Sequence, residues 1–269
     1  MNKITSNNTL WLLISILPLT LLIGSGVVNT SIFIIDLVFI YIVFKQNKII
    51  FNDKLILYIF IFFWLSLVIN LLLSSNFNNS FLRVFGIIRF LILALAIKFS
   101  LEEFSQKMKK KMLLIWSIIF FIVTLDLIFE LIFGINVLGN RSYIPGRLSG
   151  FLGAELKIGN WYFGFGLIVV SFIYYNFKKN IFFYLILIIT LLVSLLIGER
   201  ANFIKYFLMT AIFFTLYEKR IFLKKIFSIF IVVIFLSGIL IANNSYKQRF
   251  WNMFLSQFNQ GSGIVAIIN

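Results

Sequence analysis

The sequence predicts an all-α polytopic membrane protein of about nine transmembrane helices, because apolar runs long enough to cross a bilayer core recur along the chain. Of its 269 residues, 61% are hydrophobic and only 12% charged, and the mean hydropathy is +1.05. A soluble domain is about 45–50% apolar and about 25% charged. Hydrocarbon offers no partner to a backbone N–H or C=O, so each run must satisfy its own groups and be helical. Nothing alternates at period two, which argues against a transmembrane barrel built from ~10-residue strands.

The runs follow one another with short polar breaks. The first, 10–23, has no small-residue cleavage site after it and reads as a retained helix rather than a signal peptide. The second, 28–44, ends at Lys45 and Lys48, and the third, 55–74, begins behind Lys54. The fourth, 81–97, stops at Lys98, and the fifth, 112–133, opens after Lys107, Lys109, Lys110 and Lys111 and closes at Gly134. A long connector leads to the sixth, 158–175, and Lys178 and Lys179 separate this from the seventh, 181–197. The turn Gly198-Glu199-Arg200 leads into the eighth, 201–217. Lys219, Arg220, Lys224 and Lys225 precede the ninth, 226–242. No repeat, linker or soluble domain interrupts the series, so 1–269 reads as one membrane domain.

The net charge of +15 would suit nucleic acid on a soluble protein. Here the basic residues sit in clusters between apolar runs, where they act as topology signals, and no nucleic-acid partner is expected. Lys3 and the lysine-rich clusters fall on one side of the membrane and mark it as cytoplasmic. That leaves the N-terminus inside and, after nine spans, the C-terminus outside. The other side carries Arg141, Arg147, Lys157, Arg200, Lys205, Lys247 and Arg249. Four of these seven are arginines, whose planar fork suits bidentate phosphate or carboxylate recognition. The chain has no cysteine and no histidine, which excludes disulfides, thiolate chemistry and the commonest proton shuttle. No Asp-x-Asp pair is present either, so neither a metal nor another cofactor is expected.

Several charges fall inside the runs. Asp36, Arg89 and Asp126 share a depth of about 10–12 Å from the outer ends of their helices, at 1.5 Å rise per residue. Arg83 and Glu130 lie nearer the surface. Ions in hydrocarbon pair inside the bundle, so Arg89 is expected against Asp126 or Asp36, and Arg83 against Glu130. These pairs would support the helix packing; the alternative is a polar wall for a cavity or a proton path. The connector 134–157 holds Pro145 and the glycines Gly134, Gly139, Gly146, Gly150 and Gly153. A loop of that length with no periodicity is usually functional. Tyr143, Trp161 and Tyr162 in and beyond it can stack on sugar or anchor at the interface. Ser149 has no evident base to make it a nucleophile.

Three outward segments carry a resemblance. The first runs Gly134-Ile-Asn-Val-Leu-Gly139 and then Arg147-Leu-Ser-Gly-Phe-Leu-Gly-Ala-Glu155, the second is Gly198-Glu-Arg-Ala-Asn-Phe-Ile-Lys205, and the third is Ser245-Tyr-Lys-Gln-Arg-Phe250. In this order, and with Leu17-Pro-Leu-Thr-Leu-Leu-Ile-Gly24 opening the chain, they resemble the O-antigen ligase/polymerase family of bacterial lipid-linked-glycan glycosyltransferases. The resemblance implies a GT-C-like bundle in the bacterial inner membrane. It implies metal-independent transfer or polymerisation of an undecaprenyl-diphosphate-linked glycan onto lipid A–core or a glycan acceptor at the periplasmic face. Arg200 and Arg249 would then hold the donor diphosphate, with Arg147 in support and Lys205 adding charge. Glu155 would orient the acceptor hydroxyl or Arg147, and Glu199 would fix Arg200. The family also carries a histidine in a large periplasmic loop followed by further helices. This chain has no histidine and reaches Asn269 soon after that loop would begin. The resemblance therefore implies a chain lacking the C-terminal loop and last helices, inactive alone, or a divergent member with Glu155 as base. The rival reading is a transporter or flippase for a lipid-linked or anionic solute, a class marked by paired repeats and broken helices. Neither mark is present, and Pro18 is the sole proline within a run.

Overall fold

A computed structural model describes residues 3–46, 54–74, 77–155, 157–176 and 181–217, together with Gly238, Lys247 and Gln248. Every regular element among the described residues is helical. They are α1 (Lys3–Ile23), α2 (Ser25–Gln46), α3 (Lys54–Leu72), α4 (Phe77–Gly86), α5 (Ile88–Glu103), α6 (Gln106–Phe133), a 3-10 turn (Gly150–Glu155), α7 (Ile158–Asn176), α8 (Ile181–Leu196) and α9 (Arg200–Tyr217). The helix expected at 226–242 and the third outward segment, Arg249 included, lie outside the described residues.

Among the described residues, four helices are long and apolar enough to cross a membrane: Ser25–Lys45, Ser80–Glu103, Gln106–Phe133 and Ile158–Asn176. Shorter apolar helices cover Asn7–Ile23, Tyr58–Leu72 and Phe182–Leu196. Large apolar side chains such as Phe44, Phe62 and Leu125 face outward, as a lipid-facing surface requires. The chain divides into two compact units, Met1–Ile115 and Trp116–Asn269.

In the first unit α1 and α2 pack along one another, and α2 packs on α5. Gly24 alone separates α1 from α2, at φ +143°, a value that L side chains rarely adopt. Leu10, Ile14, Ile35, Phe39, Ile42 and Phe99 fill the space between these helices, with Phe39 edge-on to Phe99 at 5.7 Å. The Trp11 indole donates to the Met108 carbonyl at 2.9 Å and fastens α1 to the start of α6. The run read from sequence as a single helix over 81–97 is two elements, α4 and α5, which meet at Ile87. The Trp64 indole donates to the Val84 carbonyl at 3.3 Å and ties α3 to α4 just before this junction. Ile87 keeps helical dihedrals, φ −68° and ψ −26°, so Ser80–Glu103 still forms one span.

The second unit is built on the rest of α6 with α7, α8 and α9, the last three packing on one another in every pairing. Its core is aromatic. The Phe120 and Tyr162 rings lie 4.6 Å apart, Trp161 and Phe165 5.1 Å, and Tyr162 meets Tyr206 at 6.1 Å. Thr124 and the Tyr162 hydroxyl share a hydrogen bond at 3.2 Å, which gives that buried phenol a polar partner. Gly166 is required here, since a Cβ would stand 2.9 Å from the Tyr206 ring. Gly164 is the contrasting case: it lies exposed on α7 with nothing within 4 Å of an added Cβ. Gly164→Ala is therefore expected to stabilise the protein by about 0.5–1 kcal/mol through helix propensity; a lower melting temperature in detergent would count against this.

Candidate functional site

The 134–157 connector is not a loose loop. It is fastened to α6 by two carboxylates one turn apart, both at least 97% removed from solvent (Asp126 3% exposed, Glu130 2%). Asp126 accepts the Val137 N–H at 2.9 Å. Glu130 accepts the Ser149 N–H at 2.8 Å, the Ser149 hydroxyl at 2.7 Å and the Gly150 N–H at 2.7 Å. An ionised carboxylate has about four lone-pair sites, so amides and a hydroxyl can satisfy Glu130 without a cation, while Asp126 Oδ2 has no hydrogen-bond partner among the described residues. Buried Asn136 closes the loop on itself: its amide donates to the Gly150 carbonyl at 2.6 Å and its side-chain oxygen accepts the Asn140 N–H at 2.7 Å.

Within its own unit Glu130, expected against Arg83, is met by the connector's donors, and Asp126, one of the two partners named for Arg89, accepts from the connector as well. The other partner named for Arg89 stands closer to the expectation. Asp36, buried on α2, and Arg89, on α5, feel one another's charge, while Asp36 Oδ1 and Arg89 Nε have no hydrogen-bond partner among the described residues. The Arg89 guanidinium instead lies over the Phe90 ring, 4.8 Å from its centroid. Ser149 does have a carboxylate partner, which the sequence does not reveal, but its complete burial makes it a fastening rather than a nucleophile.

The second limb of the connector docks on the α8–α9 turn. Leu148 N–H donates to the Ile197 carbonyl at 3.1 Å. Gly198, at φ +77°, sits against Gly146: a Cβ there would be 2.1 Å from the Gly146 carbonyl oxygen. That contact brings Arg147 alongside Glu199, where Nη2 meets Oε1 at 2.8 Å, with the two side chains 19% and 11% exposed. Glu199 is also the acceptor for the Gly159 N–H at the start of α7, at 3.2 Å, and for the Asn202 side-chain amide in the first turn of α9. Gly159 leaves space for it, since a Cβ would stand 2.6 Å from the carboxyl carbon. One carboxylate thus joins the connector, α7 and α9.

Glu199 was expected to fix Arg200; it holds Arg147 instead. Arg200, half-buried at the first position of α9, has neither a hydrogen bond nor an ion pair to its side chain among the described residues. Lys205 is exposed five residues along the same helix. Glu155 ends the 3-10 turn two residues after Gly153, whose φ of +53° kinks it. Trp161 and Tyr162 belong to the buried aromatic core and do not present faces to a sugar; Tyr143 is exposed. The residues that sequence reasoning missed are Asn136, Gly159 and Asn202, none of which carries a charge to draw attention to it.

Glu199 thus pairs with Arg147, and Arg200 follows it directly in the chain as the first residue of α9. The α9 N-terminus lies at the same place, and its unpaired N–H groups favour an anion. What this junction can do chemically is bind phosphate or carboxylate. Comparison with family models, with curated proteins and with solved structures finds no match for this chain.

Proposed function

We propose that this chain is the membrane bundle of a glycosyltransferase of the O-antigen ligase/polymerase type, with nine spans, an inside N-terminus and its working face on the outer side of the bacterial inner membrane. Its donor is an undecaprenyl-diphosphate-linked glycan, and its acceptor is lipid A–core or another glycan. The observation that supports the reading is the Arg147–Glu199 pair at the α8–α9 turn, where Arg200 is the next residue in the chain. The order of the Arg147–Glu155 and Gly198–Lys205 segments along the sequence supports it independently.

The chemistry follows from the charges. An acceptor hydroxyl attacks the anomeric carbon of the donor, the bond from that carbon to the diphosphate oxygen breaks, and undecaprenyl diphosphate leaves with the bonding pair. Negative charge grows on the leaving oxygen, and positioned guanidinium groups in a water-poor boundary stabilise it without reorganising. Arg200, uncommitted among the described residues, makes the main contact. Arg147 supports it, and Arg249 and Lys205 add positive charge. Glu155 takes the hydroxyl proton. No step calls for a metal.

The test is glycan transfer from undecaprenyl diphosphate in proteoliposomes. Arg200→Ala is expected to lower the rate by about 10²-fold, the usual effect of deleting one donor to a developing oxyanion. Transfer at the normal rate by that variant would remove Arg200 from the donor site. Wild-type protein that moves the lipid-linked glycan across the bilayer without joining it to acceptor would favour the flippase reading.

A further inference from the structure

Arg147 already holds an anion. The Glu199 carboxylate meets its guanidinium through one oxygen, Oε1 at 2.8 Å from Nη2. A diphosphate that engages Arg147 through Nη2 competes with that carboxylate. The remaining contacts of Glu199 make such an exchange feasible: the Gly159 N–H and the Asn202 amide stay on it when the guanidinium turns away, so no bare carboxylate is left behind. We infer that Glu199 is the resting counter-ion of Arg147, an internal competitor that weakens headgroup binding and speeds release of undecaprenyl diphosphate. The inference rests on the donor reading given above and adds to it the residue that sets how long the leaving group is retained.

Two effects of opposite sign meet at this residue. Glu199 orients Arg147, which would favour binding, and it competes with and repels an incoming anion, which would oppose it. The backbone decides between them. Leu148 is bonded to Ile197, and Ser149 and Gly150 to Glu130, so the chain beside Arg147 is held without help from Glu199. Orientation lost with the carboxylate is thus small, while the competition it ends is direct. Like charges facing each other in a binding site are a strong deterrent. Glu199→Gln keeps an oxygen for the Gly159 N–H and removes the charge.

The experiment titrates undecaprenyl diphosphate against the full chain in nanodiscs. Wild type, E199Q, R147A and the double variant are compared, with a melting curve for each. E199Q is expected to bind about tenfold more tightly than wild type, the effect of relieving one close like-charge contact. In the R147A background the same change should have little effect, because the gain operates through the released guanidinium. In the transfer assay E199Q should show a lower KM and a lower kcat, since product leaves more slowly. Should E199Q fail to fold, Glu199→Asp, which shortens the reach to Arg147, is expected to tighten binding in the same direction by a smaller factor. Equal or weaker binding by E199Q, or a gain that persists without Arg147, overturns the inference while wild-type binding keeps the donor reading intact. Wild-type protein that does not bind the lipid overturns both.

Discussion

Glu130→Ala is expected to detach the second limb of the 134–157 connector from α6 and to destabilise the protein by about 3–5 kcal/mol, the range for breaking a buried, fully hydrogen-bonded ionic group. The size follows from what is left behind. The Ser149 and Gly150 amides and the Ser149 hydroxyl all point at this one carboxylate, within 2.7–2.8 Å, from a fully buried position. Water cannot reach them, so each loses its partner outright. Glu130→Gln is the milder case: it keeps one acceptor oxygen but offers an NH2 where a second acceptor is needed, and about 1–3 kcal/mol is expected. Thermal unfolding in detergent measures both, and faster cleavage of the connector by protease would mark the site of opening. An alanine variant that melts with wild type and resists protease equally would show that the carboxylate does not hold the loop.

Gly198→Ala has the other large expected effect, and here the cause is steric. The added methyl would arrive 2.1 Å from the Gly146 carbonyl oxygen and 3.1 Å from the Arg147 Cα, both backbone atoms that no rotamer change can move. The φ of +77° adds strain of its own for any L side chain. The two segments must then separate, and the Leu148–Ile197 hydrogen bond and the Arg147–Glu199 pair are lost with the contact. A cost above about 3 kcal/mol is expected, shown as poor yield of folded protein. Gly139 supplies the control, with a similar φ of +80° but nothing within 4 Å of an added Cβ. Its alanine variant should carry only the conformational strain, about 1–2 kcal/mol. Equal behaviour of the two variants would mean that the close approach at Gly198 is not what matters there.

These two residues also show where sequence reasoning reaches and where it stops. The apolar runs coincide with α1, α2, α3 and α6 to α9, and among the described residues α2, α6 and α7 reach the length and apolarity at which a bilayer leaves a backbone no choice but the helix. The two buried carboxylates of α6 stand out for the same reason, as costly groups that need partners. Their partners could not be read. Donors for Glu130 come from backbone amides nineteen and twenty residues away, and backbone amides are identical at every position, so no residue type announces them. A charge-matching rule offers Arg83 and Arg89 and does not see a loop that folds back to supply hydrogen bonds.

The Glu199 contact escaped for a related reason. Its neighbour in the chain is an arginine, and local pairing is the simplest guess for a Glu-Arg dipeptide. The start of α9 defeats that guess: Glu199 sits just before the first turn and its carbonyl accepts the Phe203 N–H. Its side chain turns toward Asn202 and the connector while Arg200 enters the helix. The clue available in sequence was Gly198, since a glycine ahead of two charged residues often marks a backbone position that another segment must approach. The break at Ile87 was hidden too, because no proline marks it.

The spacing of the two α6 carboxylates has a consequence for the connector. Asp126 secures the limb at Val137 and Glu130 the limb at Ser149, so each end is tethered on its own account. The stretch between them, around exposed Arg141, Tyr143 and Pro145, carries little of that tethering. Its length and composition can drift without disturbing the arginine presented beyond it. A scaffold of this kind allows the tip to be retailored for different molecular neighbours while the anchored limbs, and whatever they position, stay unchanged.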